Sequence, residues 1–221
     1  MNINRYIDHT LLKPTATTTD IQQLCAEAVE YNFFSVCVNS CHVQLATEFL
    51  SKSTTVNVCS VIGFPLGAMS SEAKIAELQQ AKLDGADEFD MVINIGWLKS
   101  GKENAVEAEI KQLKDAAGNA VLKVIIETCY LSDEEITKAS KLAINAGADF
   151  VKTSTGFGTG GATLEAIDLM RKAVNGKAKL KASGGIRDYK TAKEYIDAGV
   201  SRIGTSNGIA IVTGTSSQNN Y

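Results

Sequence analysis

Histidine is nearly missing from this chain of 221 residues: only His9 and His42 are present. No His, Cys or carboxylate ligands recur at the short spacings of a zinc site, so no metal is expected. The five cysteines, Cys25, Cys37, Cys41, Cys59 and Cys129, are odd in number and form no Cys-x-x-Cys pair. That removes a disulfide framework and a zinc knuckle, and leaves most of them as small buried hydrophobes. The chain also lacks a Gly-x-Ser-x-Gly elbow and a Walker loop. No apolar run approaches the roughly 18 to 20 residues that a membrane span needs. The first residues, Met-Asn-Ile-Asn-Arg-Tyr-Ile-Asp, contain no apolar signal core, so a cytoplasmic location is expected. Charge of one sign is lacking too. With 22 basic against 25 acidic residues, a net charge of −3 and no basic run, there is no footprint for nucleic acid or an anionic membrane. No Pro/Gly/Ser-rich linker interrupts the middle of the chain, so residues 1–221 are expected to form one domain.

What is present is an alternation. Short β-branched runs are separated by longer stretches of helical period, the pattern of repeated βα units around a parallel sheet. Eight strands are expected, at 8–12, 34–38, 56–62, 88–93, 120–127, 149–153, 179–183 and 202–205, which predicts a (β/α)8 TIM barrel in the α/β class. Helix starts are expected at Thr19–Gln22 and Ser132–Glu135, where a hydroxyl caps the first turn and the residue three on reaches back. Asn32, Gly85, Gly147 and Gly199 each end a helical run, as residues that accept positive φ do. Five residues beyond each stop stand Cys37, Asp90, Lys152 and Gly204, in strands two, four, six and eight. Alternate barrel strands share a layer of inward side chains, so these four are read as one layer; αβ loops of equal length would give the same offsets without inward orientation. The segment 213–221 is polar, uncharged and aperiodic, the composition of a mobile tail.

Three lysines, Lys123, Lys152 and Lys181, sit among apolar residues in strands five, six and seven. A buried ammonium is costly without a carboxylate or a task, whereas an outward lysine snorkels between helices. Three in consecutive strands favour a site. Burial and a neighbouring positive charge depress a lysine pKa and supply free amine, which a Schiff-base nucleophile requires. On adjacent strands, Lys152 and Lys181 are expected to start about 5 Å apart, close enough for either to depress the other. Imine formation also needs a proton carrier, and Asp90 is the carboxylate most clearly inside a strand, with Asp8 and Glu127 as weaker candidates. A structural ion pair with a lysine is the alternative for Asp90. Glycine-rich turns follow strands six to eight: Thr153–Gly161, Ala182–Arg187 and Gly204–Gly208. Backbone amides freed by small residues cradle anions, and barrels often bind phosphate after strands seven and eight, so a phosphorylated substrate is expected.

The segments Ile7–Pro14, Asp87–Asn94, Leu122–Thr128, Phe150–Phe157 and Lys181–Arg187, in this order and over nearly the whole chain, resemble those of the deoxyribose-phosphate aldolases, class I Schiff-base enzymes. The resemblance implies reversible cleavage of 2-deoxy-D-ribose 5-phosphate to D-glyceraldehyde 3-phosphate and acetaldehyde, in deoxyribose phosphate catabolism, without metal or organic cofactor. It makes Lys152 the Schiff-base lysine, Asp90 the proton donor and acceptor, and Lys181 the second lysine that supports proton transfer and lowers the pKa of Lys152. Lys123 and Asp8 join the same network, and the phosphate rests on Gly156, Gly184, Gly185, Gly204 and Ser206. Some members end in a tyrosine that folds over the site and relays a proton, and Tyr221 ends this chain. Cys37 is either a thiol near an aldehyde site or a packing residue. The partner is a small phosphorylated sugar or aldehyde; oligomeric state is not legible, and a homodimer stays open.

Overall fold

In each strand, residues of alternate position part to opposite sides. The computed structural model describes residues 2–215. Its strands are β1 (Ile7–Leu11), β2 (Ser35–Val38), β3 (Asn57–Ile62), β4 (Glu88–Val92), β5 (Val121–Ile125), β6 (Phe150–Lys152), β7 (Lys179–Ser183) and β8 (Arg202–Thr205). All are parallel, each pairs with the next in sequence, and β8 pairs with β1 to close the barrel. All eight expected strands are there, with ends that differ by at most two residues.

Helices α1 (Thr18–Glu30), α2 (Val43–Phe49), α3 (Ser71–Leu83), α4 (Ile95–Lys99), α5 (Glu103–Ala117), α6 (Asp133–Asn145), α7 (Leu164–Val174), α8 (Tyr189–Asp197) and α9 (Gly208–Thr213) follow the strands. Val36, Phe89, Met91, Leu122, Val124, Val151, Leu180 and Ile203 turn outward and pack with these helices in one continuous apolar shell. Fully burying such a side chain contributes about 1.5–3 kcal/mol, and the shell holds dozens of them. This shell leaves the inward positions free to carry polar groups. Those positions hold Asp8, Ser35, Cys37, Glu88, Asp90, Lys123, Lys152, Lys181 and Arg202, each within hydrogen-bonding or ionic reach of at least one other.

The helix stops have positive φ as expected: 50° at Asn32, 101° at Gly85, 86° at Gly147 and 101° at Gly199. The box at Ser132 and Glu135 also forms. At α1, however, the cap is Thr17 with Asp20, not Thr19 with Gln22. The short Asp20 carboxylate bonds both the Thr17 amide and hydroxyl at 2.8 Å and brings negative charge to the helix N-terminus. Thr213 ends α9, its hydroxyl donating to Ile209 O at 2.8 Å, so it belongs to a helix and not to the tail. Tyr221 and the expected mobile segment beyond residue 215 lie outside the described residues. Among the described residues, no helix is long and apolar enough to cross a membrane.

Candidate active site

The inward charges close into a ring. Arg202 Nη1 lies 2.8 Å from Asp8, whose other oxygen lies 2.5 Å from Lys181 Nζ; Lys181 reaches Asp90 at 2.8 Å. Asp90 in turn meets Lys123 at 2.9 Å, Lys123 meets Glu88 at 2.6 Å, and Glu88 returns to Arg202 at 3.2 Å. Three cations and three carboxylates alternate, each touching two ring members of the opposite sign. Lys152 stands outside the ring. Its Nζ bonds Asp90 Oδ2 at 2.7 Å, the oxygen that also accepts from Lys181.

Burial alone would raise both aspartates, but Lys181, Arg202 and Lys123 beside Asp8, and all three lysines beside Asp90, hold both carboxyls below the usual range. Burial likewise works against the charged form of Lys123 and Lys181. The carboxylates facing them prevail and raise both, led by Asp90 for Lys123 and by Asp8 for Lys181. For Lys181 this reverses the direction expected from burial beside another lysine, because two carboxylates outweigh one neighbouring ammonium. Lys181 is thereby held as an ammonium that donates a hydrogen bond to Asp90, and Asp90 as a carboxylate that accepts it.

The four residues set at equal offsets from helix stops all face this interior. Lys152 bonds Asp90, and the Cys37 and Cys59 sulfurs and an Asp90 oxygen lie within 4.8 Å of one another. At Gly204 a Cβ would fall 3.0 Å from Lys181 Cε, so the missing side chain makes room for that lysine. The Cys37, Cys59 and Asp90 trio has the ligand types of a soft-metal site. The Lys123 ammonium, 2.9 Å from Asp90 Oδ1 and 3.4 Å from Cys59 Sγ, already occupies a cation's place there.

At the C-terminal end of the barrel a pocket of about 120 Å³ opens onto Lys152. Gly156, Gly184, Gly185, Gly204 and Ser206 line it, from the segments after β6, β7 and β8. Gly156, Gly184 and Gly185 have φ of 86°, 85° and 80°, a region that residues with a side chain rarely enter. Among the described residues their amides donate to no protein acceptor, which leaves them for an anion. Arg187 adds a positive side chain to the lining.

A family model described as DeoC/LacD family aldolase matches residues 3–215. The chain belongs to that family. A deoxyribose-phosphate aldolase of Brevibacillus brevis is 58% identical over 214 residues, covering 97% of this chain and 96% of its own. Among solved structures, a protein described as QR15, an aldolase, superimposes with a TM-score of 0.93 at 45% identity, covering 97% of this chain and 96% of its own. The tetrameric deoxyribose phosphate aldolase of Aeropyrum pernix does so with a TM-score of 0.89 at 33% identity, covering 96% and 90%.

The inward residues of this DeoC/LacD aldolase include several that sequence reasoning passed over. Arg202 and Glu88 close the ring, Ser35 donates to Asp8 at 2.7 Å, and Cys59 to Asp90 at 3.1 Å. A weaker signal was available for the first two: each is a charge that opens a largely apolar strand. Glu127 departs from expectation. It lies beyond the end of β5 in the left-handed region, φ 54°, and its carboxylate bonds Thr155 in the segment after β6.

Proposed function

We propose that the protein reversibly cleaves 2-deoxy-D-ribose 5-phosphate into D-glyceraldehyde 3-phosphate and acetaldehyde through an imine on Lys152. The observation that carries this reading is the surplus amine. Four basic groups face three carboxylates inside the barrel; the ring pairs three with three, and Lys152 is the fourth, outside the ring and on the pocket wall. The 58% identity to the deoxyribose-phosphate aldolase of Brevibacillus brevis supports the substrate.

In this reading the Lys152 amine adds to the substrate aldehyde, and loss of water gives an iminium. The iminium at C1 accepts the electron pair of the C2–C3 bond, one carbon removed from the imine carbon, as that bond breaks and the C3 hydroxyl gives up its proton to become the new aldehyde. D-glyceraldehyde 3-phosphate leaves, the remaining enamine takes a proton on carbon, and water releases acetaldehyde and the amine. Asp90 Oδ2, shared by Lys152 and Lys181, is placed to accept protons, and Lys181 to return them. The amides of Gly156, Gly184 and Gly185, with Ser206 and Arg187, would hold the phosphate and so fix the reacting bond over Lys152. No step requires a metal or an organic cofactor. Free thiols in all five cysteines fit a reducing cytoplasm, where deoxyribose phosphate catabolism would place the enzyme.

Borohydride added with substrate traps an imine as a stable secondary amine. The expected adduct is on Lys152 by peptide mass spectrometry, and Lys152→Ala is expected to give neither adduct nor turnover. An adduct on another lysine, or none in an active enzyme, would overturn the assignment.

A further inference from the structure

We infer that Glu127 is a positioning residue for the anion-binding loop after β6: its carboxylate decides which backbone amide of the Thr155–Phe157 turn faces the pocket. Glu127 is 2% exposed and makes no ion pair with any described residue. A buried carboxylate without a counter-charge is costly unless hydrogen bonds satisfy it. Here they come chiefly from Thr155, with the Cys129 thiol a weak donor 3.8 Å from Oε1. The Thr155 amide lies 3.2 Å from both carboxylate oxygens, and the Thr155 hydroxyl makes a short bond to Oε2.

A hydroxyl has one proton. Because the carboxylate only accepts, that proton points to Glu127, and the Thr155 oxygen is left to accept from Phe157 N at 3.0 Å. Two of the turn's three amides are thereby spent, at Thr155 and Phe157. The third, at Gly156, has no protein acceptor among the described residues and lines the pocket with Lys152. The backbone around Glu127 is built to hold this arrangement. Its φ of 54° is strained for a residue with a side chain. The turn that follows packs Cys129 so closely that a Cβ at Gly158 would meet its sulfur at 2.8 Å, and one at Gly160 its Cβ at 3.2 Å.

This inference rests on the phosphorylated substrate proposed above, and its tests separate the two. Glu127→Gln replaces one accepting oxygen with a donor. Glu127→Gly removes the carboxylate while suiting the left-handed backbone, which guards against simple misfolding. Both are expected to raise KM for deoxyribose 5-phosphate about ten- to hundredfold, the factor carried by one charge-assisted hydrogen bond. Both should leave kcat/KM for unphosphorylated deoxyribose within about threefold, a difference below one hydrogen bond. Thr155→Val should reproduce the defect, and Thr155→Ser, which keeps the hydroxyl, should restore wild-type KM. An equal loss for both substrates, or no change in their ratio, would overturn the inference while leaving the aldolase reading intact. Amide NMR gives a readout that needs no activity. Titrating inorganic phosphate should shift the Gly156 resonance in the wild type and much less in Glu127→Gln. If that pattern holds in a protein that cleaves no deoxyribose 5-phosphate, the aldolase reading fails and the positioning role stands; a wild-type Gly156 resonance indifferent to phosphate overturns it.

Discussion

Two sets of fully buried charges in this protein behave in opposite ways. Inside the barrel, each ring member touches two opposite charges, and the shifts favour ionisation: Asp8 and Asp90 down, Lys123 and Lys181 up. Outside it, Lys74 of α3 and Glu109 of α5 form a pair at 2.9 Å with both side chains 0% exposed. There burial prevails, lowering Lys74 and raising Glu109, although each counters the other. Solvent is shut out in both places, and the barrel charges lie the deeper of the two, so desolvation alone does not explain the difference. The opposing charges in direct contact differ, two or three for each of Asp8, Asp90, Lys123 and Lys181 against one for Lys74 and Glu109, with Glu77 acting on Lys74 only as a weaker neighbour, and they decide whether desolvation or Coulomb attraction wins.

The largest break in the comparison is Asp90→Asn. It opens the ring and leaves Lys123, Lys152 and Lys181 without their shared anion, so stability in urea should fall by about 3–5 kcal/mol. Turnover should fall about 10²- to 10⁴-fold, the usual worth of a proton carrier. Near-normal rates would remove the proton-transfer role, and an unchanged urea midpoint would show that the ring's charges are not held as the geometry implies.

Removing one member of the outer pair should cost less. In Lys74→Met, Glu109 loses its cation, but its carboxyl is already shifted toward the protonated form and can take a proton. The remaining loss is the bond from Lys74 Nζ to Val92 O at 2.8 Å, and about 1–3 kcal/mol is expected for an orphaned buried acceptor. A loss as large as that of Asp90→Asn would erase the distinction between ring and pair.

Acid and base sharpen it further. Asp8 and Asp90 are depressed from their ordinary 3.8, so the ring's carboxylate stabilisation is present above that value and lost as pH falls below it. Lys123 and Lys181 are raised from 10.5, so their contribution is present below pH 10.5 and lost as pH rises past it. The pair runs the other way. Glu109 is raised above 4.5, so its contribution is present below that pH and lost as pH climbs through the shifted value; Lys74 is lowered from 10.5, and its contribution fades as pH falls from there. Between these limits the ring stabilises while the pair costs. Urea titrations across pH should therefore show wild type losing ground as pH climbs from about 4.5 and regaining it as pH rises toward 10.5, against a variant that lacks the pair, and a flat difference would count against the assigned shifts.

How much of this was legible in the sequence follows from the same contrast. Strand interiors tolerate charge only where something answers it, so Lys123, Lys152, Lys181 and Asp90 announced themselves by their apolar neighbours. Arg202 and Glu88 carried the same signal but sat at strand ends, where a charge is ordinary. Lys74 and Glu109 lie on helices whose polar faces already hold many charges, so nothing marked these two as buried. Glu127 reads in the sequence as a strand residue, because a left-handed residue beyond the strand end leaves no trace in a run of β-branched residues. The helix stops, by contrast, fixed both topology and offset, since Gly and Asn report a backbone requirement directly.

The smallest effect expected is that of Lys74→Met combined with Glu109→Leu. Apolar replacement of a whole buried pair is often neutral, because two desolvation costs vanish with one attraction. Two backbone groups do lose partners here: Val92 O, and Asn94 N, which donates to Glu109 at 3.2 Å. The net change should stay within about 2 kcal/mol of wild type and below the sum of the two single variants. Since neither residue lines the pocket or touches the ring, kcat with deoxyribose 5-phosphate should stay within about twofold, a difference of under half a kcal/mol. A double variant as damaged as the sum of its parts would mean that Lys74 and Glu109 act separately on the end of β4, each through its own backbone bond, and not as a pair at all.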